Sequence, residues 1–157
     1  MQYLKEKFQT INDTIKKAKK SGEKDARLAS MLSSYLVVWI SGVYEDMVEH
    51  LFAERVKKVN DKEIENFVEV FIGEQFRSPR YENIKKLVKA FDPKYGVELR
   101  SKIEDKNITA LDSIVNNKNK AAHGEVSNAT IDDIIGWNKD TIKIFEELEN
   151  ILKVGDE

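Results

Sequence analysis

The run Lys118-Asn119-Lys120-Ala121-Ala122-His123-Gly124-Glu125 gathers two ammonium groups, an amide and one of only two histidines in the chain. An imidazole can take and give a proton near neutral pH. A fixed cation a few residues away is what a phosphate oxygen attracts. Residues of these types at this spacing suit phosphodiester chemistry. The other histidine, His50, stands among Glu49, Glu54 and Arg55 and reads as part of a solvated helix face. The two histidines lie far apart, and no His-Glu cluster has ligand spacing, so no metal site is expected. The chain also lacks a phosphate-cradling glycine loop and a Ser-His-Asp pattern, and no cofactor is implied.

A helical wheel places the reactive residues more closely. At about 100° per residue from Ile108, Leu111, Ile114, Val115 and Ala122 form an apolar stripe centred near about 300°. Asp112, Asn116, Asn119 and His123 make a polar ridge on its flank, between about 20° and about 80°. Lys118 falls near about 280°, on the apolar stripe itself. An unpaired buried ammonium is costly. Lys118 must therefore snorkel, meet a carboxylate, or face a groove left open within one copy of the chain and closed by a second. The plainer reading has Lys118 snorkelling and His123 at a helix C-terminus, where the macrodipole favours a cation.

The elements that must position these residues are all helical. Leu4, Phe8, Ile11 and Ile15 predict a first helix over Tyr3 to Lys20, ended by Ser21-Gly22. A long helix from about Lys24 to Val59 is apolar nearly all round and should form the centre. Asn60-Asp61 supplies an N-cap for a short third, through Ile64, Phe67, Val68 and Phe71. After the turn Ser78-Pro79-Arg80-Tyr81, a fourth runs from Tyr81 to Phe91 and Asp92-Pro93 breaks it. A loop or short helix follows, then a helix from about Thr109 to His123, which Gly124 stops. Asn128-Ala129-Thr130 caps the last, Ile131 to Leu152. The expectation is an all-α, single-domain bundle of about five to six helices over residues 1–157. Residues 1–22 supply the N-terminal helix and about 125–157 an acidic C-terminal one.

Composition narrows the class. The 157 residues are 41% hydrophobic and 34% charged, as in a folded globular protein. With no cysteine, disulfides and thiolate metal sites are excluded, and a reducing cytoplasm fits. No signal-peptide pattern opens the chain. The most apolar run, Leu28 to Tyr44, carries four serines and reads as a buried helix rather than a membrane span. Residues 1–27 hold eight basic against four acidic side chains, and residues 125–157 three against nine. A basic end of this kind is a solvated face or steers a nucleic acid or an acidic partner.

The stretch Asn116-Asn117-Lys118-Asn119-Lys120-Ala121-Ala122-His123-Gly124 resembles the signature of the HEPN superfamily, closest to its RiboL-PSP-like branch from prokaryotic conflict and defence systems. In that family the penultimate long helix ends in Arg-Asn, a few residues, then His. Tyr44-Glu45 stands where the family carries an acid, and Asn83-Ile84 with Leu87 and Phe91 is similar to its Asn-Ile-x-x-Leu-x-x-x-Phe stretch. The resemblance implies a homodimeric, metal-independent endoribonuclease, a toxin or antiviral defence effector with RNA as substrate. An antitoxin or other protein partner would control it, and no membrane partner is implied.

Under that reading the RNA 2′-OH attacks the adjacent phosphate, leaving a cyclic phosphate and a 5′-OH. His123 is the general acid or base, Lys118 stabilises the phosphate charge, and Asn119 orients His123 or the phosphate. Glu45 partners Lys118 or His123, or is an ordinary surface carboxylate. Lys85-Lys86 with Lys89 forms a basic strip for RNA or a plain surface. One departure stands out. The family's Arg is Lys118 here, so a bidentate fork becomes a point charge. The alternative is thus a non-catalytic dimeric module that binds RNA or a protein.

Overall fold

Leu4, Phe8, Ile11, Ile15 and Ala18 recur at helical spacing, and they form the buried stripe of α1 (Gln2–Gly22) in the computed structural model, which describes residues 2–125 and 127–154. Six more helices follow: α2 (Ala26–Lys57), α3 (Lys62–Gln75), α4 (Tyr81–Phe91), α5 (Pro93–Lys102), α6 (Asp105–Ala122) and α7 (Ile131–Leu152). No strand occurs among the described residues. The all-α architecture is as expected, with seven helices among the described residues rather than five or six. The extra one arises at Asp92-Pro93, which ends α4 and at once begins α5. Asp92 accepts a bond from the Lys94 N–H at 2.8 Å, and Pro93 occupies the first turn, where its missing N–H is harmless.

Caps set the other boundaries. Asp25 and Asp61 each accept two backbone N–H bonds at the starts of α2 and α3. Thr130 and Asp133 form a reciprocal capping box on α7. α6 begins four residues earlier than the periodicity predicts because Asn107 builds its start. The Asn107 side chain accepts from the Glu104 N–H at 2.8 Å and donates to the Asp140 carbonyl of α7, also at 2.8 Å. Gly22 does not act as a left-handed stop. It lies inside α1, and a Cβ there would sit 2.9 Å from the Ala29 Cα, so glycine lets α1 and α2 approach.

α1, α2, α6 and α7 pack on one another around a common core. Phe8, Tyr44 and Phe145 meet at its centre, with Tyr44 and Phe145 ring centroids 5.0 Å apart. One polar chain crosses this core: Tyr44 donates to Asn138 at 2.7 Å, and Asn138 donates to Asn12 at 2.9 Å. It ties α2, α7 and α1 together while satisfying buried polar atoms. The basic first helix lies against the acidic last one, with Lys19 2.7 Å from Asp132. Part of the charge asymmetry is therefore matched within the fold rather than presented to a partner.

α2 departs from a helix buried all round. Leu36, Ile40, Tyr44, Met47, Val48, Leu51 and Phe52 are sunk in the core, but Leu28, Met31, Tyr35 and Val38 are exposed. By length and composition alone α2 is apolar enough to cross a membrane; its buried face is covered by α1, α6 and α7. α3 packs chiefly on α2 and buries only Ile72, leaving Ile64, Phe67, Val70 and Phe71 outside.

Candidate functional site

His123 follows the last residue of α6 and closes the helix. Its N–H bonds to the Asn119 and Lys120 carbonyls, both at 3.1 Å. Gly124 then turns the chain with φ +74°, a conformation that favours glycine, and its N–H reaches the Ala121 carbonyl at 3.2 Å. The His123 side chain is left exposed at the helix end. Asn119, one turn back, is half-buried. The following loop is held down: Ser127 donates to Asn117 at 2.9 Å, and Ser33 of α2 donates to the Ala129 carbonyl.

Lys118 is half-buried, as its place on the apolar stripe demands. Across from it on α2 stands Glu45. Burial pushes the Glu45 carboxyl above the usual carboxylate range; Lys118 is the largest influence pulling it back, and Arg77 pulls the same way. Glu49 and Asp46 add to the upward push. Lys118 thus lies within electrostatic reach of a carboxylate, without closing an ion pair within 4 Å among the described residues. No hydrogen bond joins the His123 side chain to Glu45, Lys118 or Asn119 among those residues. The structure brings Lys118 and Glu45 together and sets Asn119 and His123 on the same helix end.

The polar ridge of α6 divides in two. Asp112 accepts from the Tyr81 N–H at 3.1 Å, and so caps α4 from a neighbouring helix. Asn116 accepts from the Arg80 guanidinium. These two residues dock α4 on α6, while Asn119 and His123, further along the ridge, are left open. Arg77 and Arg80, on the α3–α4 connection, are the residues that sequence reasoning missed. A signal existed for Arg80: it occupies the N-cap place of α4, where a side chain that can only donate has no capping use.

Some cations of the fold close ion pairs and some do not. Lys19, Lys57, Lys62, Lys85, Arg100, Lys102, Lys106 and Lys143 all stand within 4 Å of a carboxylate. Arg77, Arg80, Lys86, Lys118 and Lys120 have no such partner among the described residues. The two arginines bond to neutral acceptors, Arg77 Nε to the Glu74 carbonyl at 3.0 Å and Arg80 to Asn116. In the strip Lys85-Lys86-Lys89, Lys85 pairs with Glu82 at 3.3 Å, and the Lys89 chain lies over Gly96. Nor is His50 merely solvated. It stacks on Tyr3 with ring centroids 3.7 Å apart, and this burial lowers its affinity for a proton.

An all-helical bundle whose penultimate helix ends in an accessible histidine, beside fixed cations, defines a HEPN-type domain. The family model for RiboL-PSP-HEPN matches residues 2–154, and the chain belongs to that family. No curated protein and no solved structure matches it. Membership points to a HEPN-type nuclease or RNA-binding module.

Proposed function

We propose that the protein is a cytoplasmic endoribonuclease, a toxin or defence effector that cleaves RNA by attack of the 2′-OH on the adjacent phosphate. The O2′–P bond forms, the P–O5′ bond breaks, and the products are a 2′,3′-cyclic phosphate and a 5′-OH. His123 takes the 2′-OH proton or delivers one to the leaving 5′ oxygen, a contribution of about 10²–10⁴-fold. Lys118 stabilises charge on the phosphate as it develops, and Asn119 orients the imidazole or a phosphate oxygen. Glu45 acts on Lys118 through charge. The observation carrying this reading is the exposed His123 at the end of α6, with the half-buried Lys118 five residues before it on the same helix. That the family's chemistry dispenses with metal makes cleavage in EDTA the direct test. Wild type should release cyclic-phosphate ends, and His123→Ala should lower the rate at least about 10²-fold. Equal cleavage by the two proteins would sink the assignment.

A homodimer is part of the proposal. Met31, Tyr35 and Val38 are 63%, 57% and 42% exposed, and they share one face of α2 with Gly42, Glu45 and Glu49. An exposed apolar stripe running into the candidate site suits a second copy that closes the groove at Lys118. A non-catalytic dimeric module binding RNA or protein is the second reading, favoured by lysine in place of the motif arginine. Under it, wild type leaves RNA intact while Lys118→Arg gains cleavage.

A further inference from the structure

α3 and α4 enclose a cleft of about 270 Å³, lined by Phe71, Gln75, Arg77, Asn83, Lys86 and Leu87 among others. Its chemistry differs from that of the apolar stripe on α2. One wall carries a guanidinium and an ammonium, neither within 4 Å of a carboxylate among the described residues. Two amides face the same space. Asn83 donates from its Nδ2 to the Ser78 carbonyl at 3.1 Å, which leaves its side-chain oxygen to accept, and Gln75 is exposed. The remaining lining is apolar, supplied by Phe71, itself 47% exposed, and Leu87. The volume falls just below the usual range for drug-sized ligands, about 300–1,000 Å³. That suits a single flat heterocycle rather than a larger group or an amphipathic helix.

The cleft is also joined to the candidate active site. Arg77 lines it and is close enough to Glu45 and Glu49 of α2 to pull both carboxyls downward. Arg80, three residues on, is bonded to Asn116, on the ridge that ends at His123. A polyanion lying along this connection would pass from the cleft to the end of α6 over two guanidinium groups that close no ion pair within 4 Å among the described residues.

We infer that the α3–α4 cleft is a nucleotide subsite for single-stranded RNA, holding one base and its phosphate beside the bond to be cut. The base stacks on Phe71 and Leu87, an interaction every base can make. Gln75 and Asn83 meet its hydrogen-bonding edge and set preference among bases. Arg77 grips the phosphate through its two terminal nitrogens, since Nε is engaged with the Glu74 carbonyl. Lys86 adds charge. The arrangement places a guanidinium fork on the substrate in a chain whose motif cation is a lysine. This inference rests on the ribonuclease reading for its substrate, but it makes a separate claim about binding.

The test uses the full chain and a fluorescent RNA decamer carrying 2′-O-methyl at every sugar, which cannot be cut. Arg77→Ala and Lys86→Ala should each weaken binding about tenfold and reduce the slope of log affinity against log salt by about one. Gln75→Ala and Asn83→Ala should level the affinities for poly-A, poly-C, poly-G and poly-U decamers. Arg77, Lys86 and Gln75 are exposed, so thermal melting should be unchanged. Wild-type binding by Arg77→Ala and Lys86→Ala overturns the subsite, even where RNA cleavage persists. Loss of affinity in these variants upholds it, even if wild type proves unable to cut unmodified RNA, in which case the ribonuclease reading alone fails. A wild type that neither binds nor cuts RNA overturns both, and leaves the cleft to a protein partner.

Discussion

Phe145 and Phe67 are the same side chain in opposite circumstances. Phe145 is 0% exposed between Phe8 and Tyr44, whereas Phe67 is 69% exposed on α3 and stacks only on Phe71. In and around the bundle of α1, α2, α6 and α7, lysines such as Lys19 and Lys143 close ion pairs at 2.7 Å and 2.5 Å. On the α3–α4 flank, Lys62 and Lys85 also close ion pairs, but Arg77, Arg80 and Lys86 have none within 4 Å among the described residues. One region satisfies its groups internally and holds the fold. The other leaves aromatic surface uncovered, with exposed cationic groups beside it, which is the condition for binding something else.

The largest effect that would break this contrast is on stability. Phe145→Ala should lower the unfolding free energy by about 3–5 kcal/mol in urea titrations, and Phe67→Ala should stay within about 0.5 kcal/mol. Similar losses from the two substitutions would show α3 to be part of the core. Next comes Tyr44→Phe, which leaves the buried Asn138 oxygen without its donor and should cost about 1–3 kcal/mol. Gly124→Ala is smaller, about 1–2 kcal/mol, because its φ of +74° strains any side chain. It should also depress RNA cleavage more than it depresses stability, since it shifts the backbone that presents His123.

The smallest effect is on pH. Burial against Tyr3 lowers the His50 pKa from its ordinary 6.5. Between the lowered value and 6.5 the unfolded chain binds more protons than the folded one, so stability rises with pH across that window. Urea midpoints should fall as pH drops through it, and His50→Gln should flatten that fall. An unchanged slope would mean that His50 is as free in the fold as its charged neighbours first suggest.

Much of the fold was legible along the chain. The bounds of α4 and α7 were read residue for residue, because caps and breakers (Thr130, Asp92-Pro93) are local chemistry. The start of α6 was not, since its capping residue Asn107 is held by the Asp140 carbonyl on α7. Likewise the exposure of Phe67 and Phe71 is invisible to periodicity, which marks an apolar face without saying whether anything covers it.

The sequence by itself determined an all-helical chain, the motif from Lys118 to Gly124, and the lysine on an apolar stripe. These depend on residues within a few turns of one another, where helical geometry fixes which side chains share a face. Only the tertiary structure decided that Glu45 stands across from Lys118, that Asp112 and Asn116 serve docking rather than chemistry, and that Arg77 and Arg80 reach the same region. Those pairings join segments about 30 to 70 residues apart. They exist because α2 and α4 pack against α6, and no spacing along the chain encodes that packing.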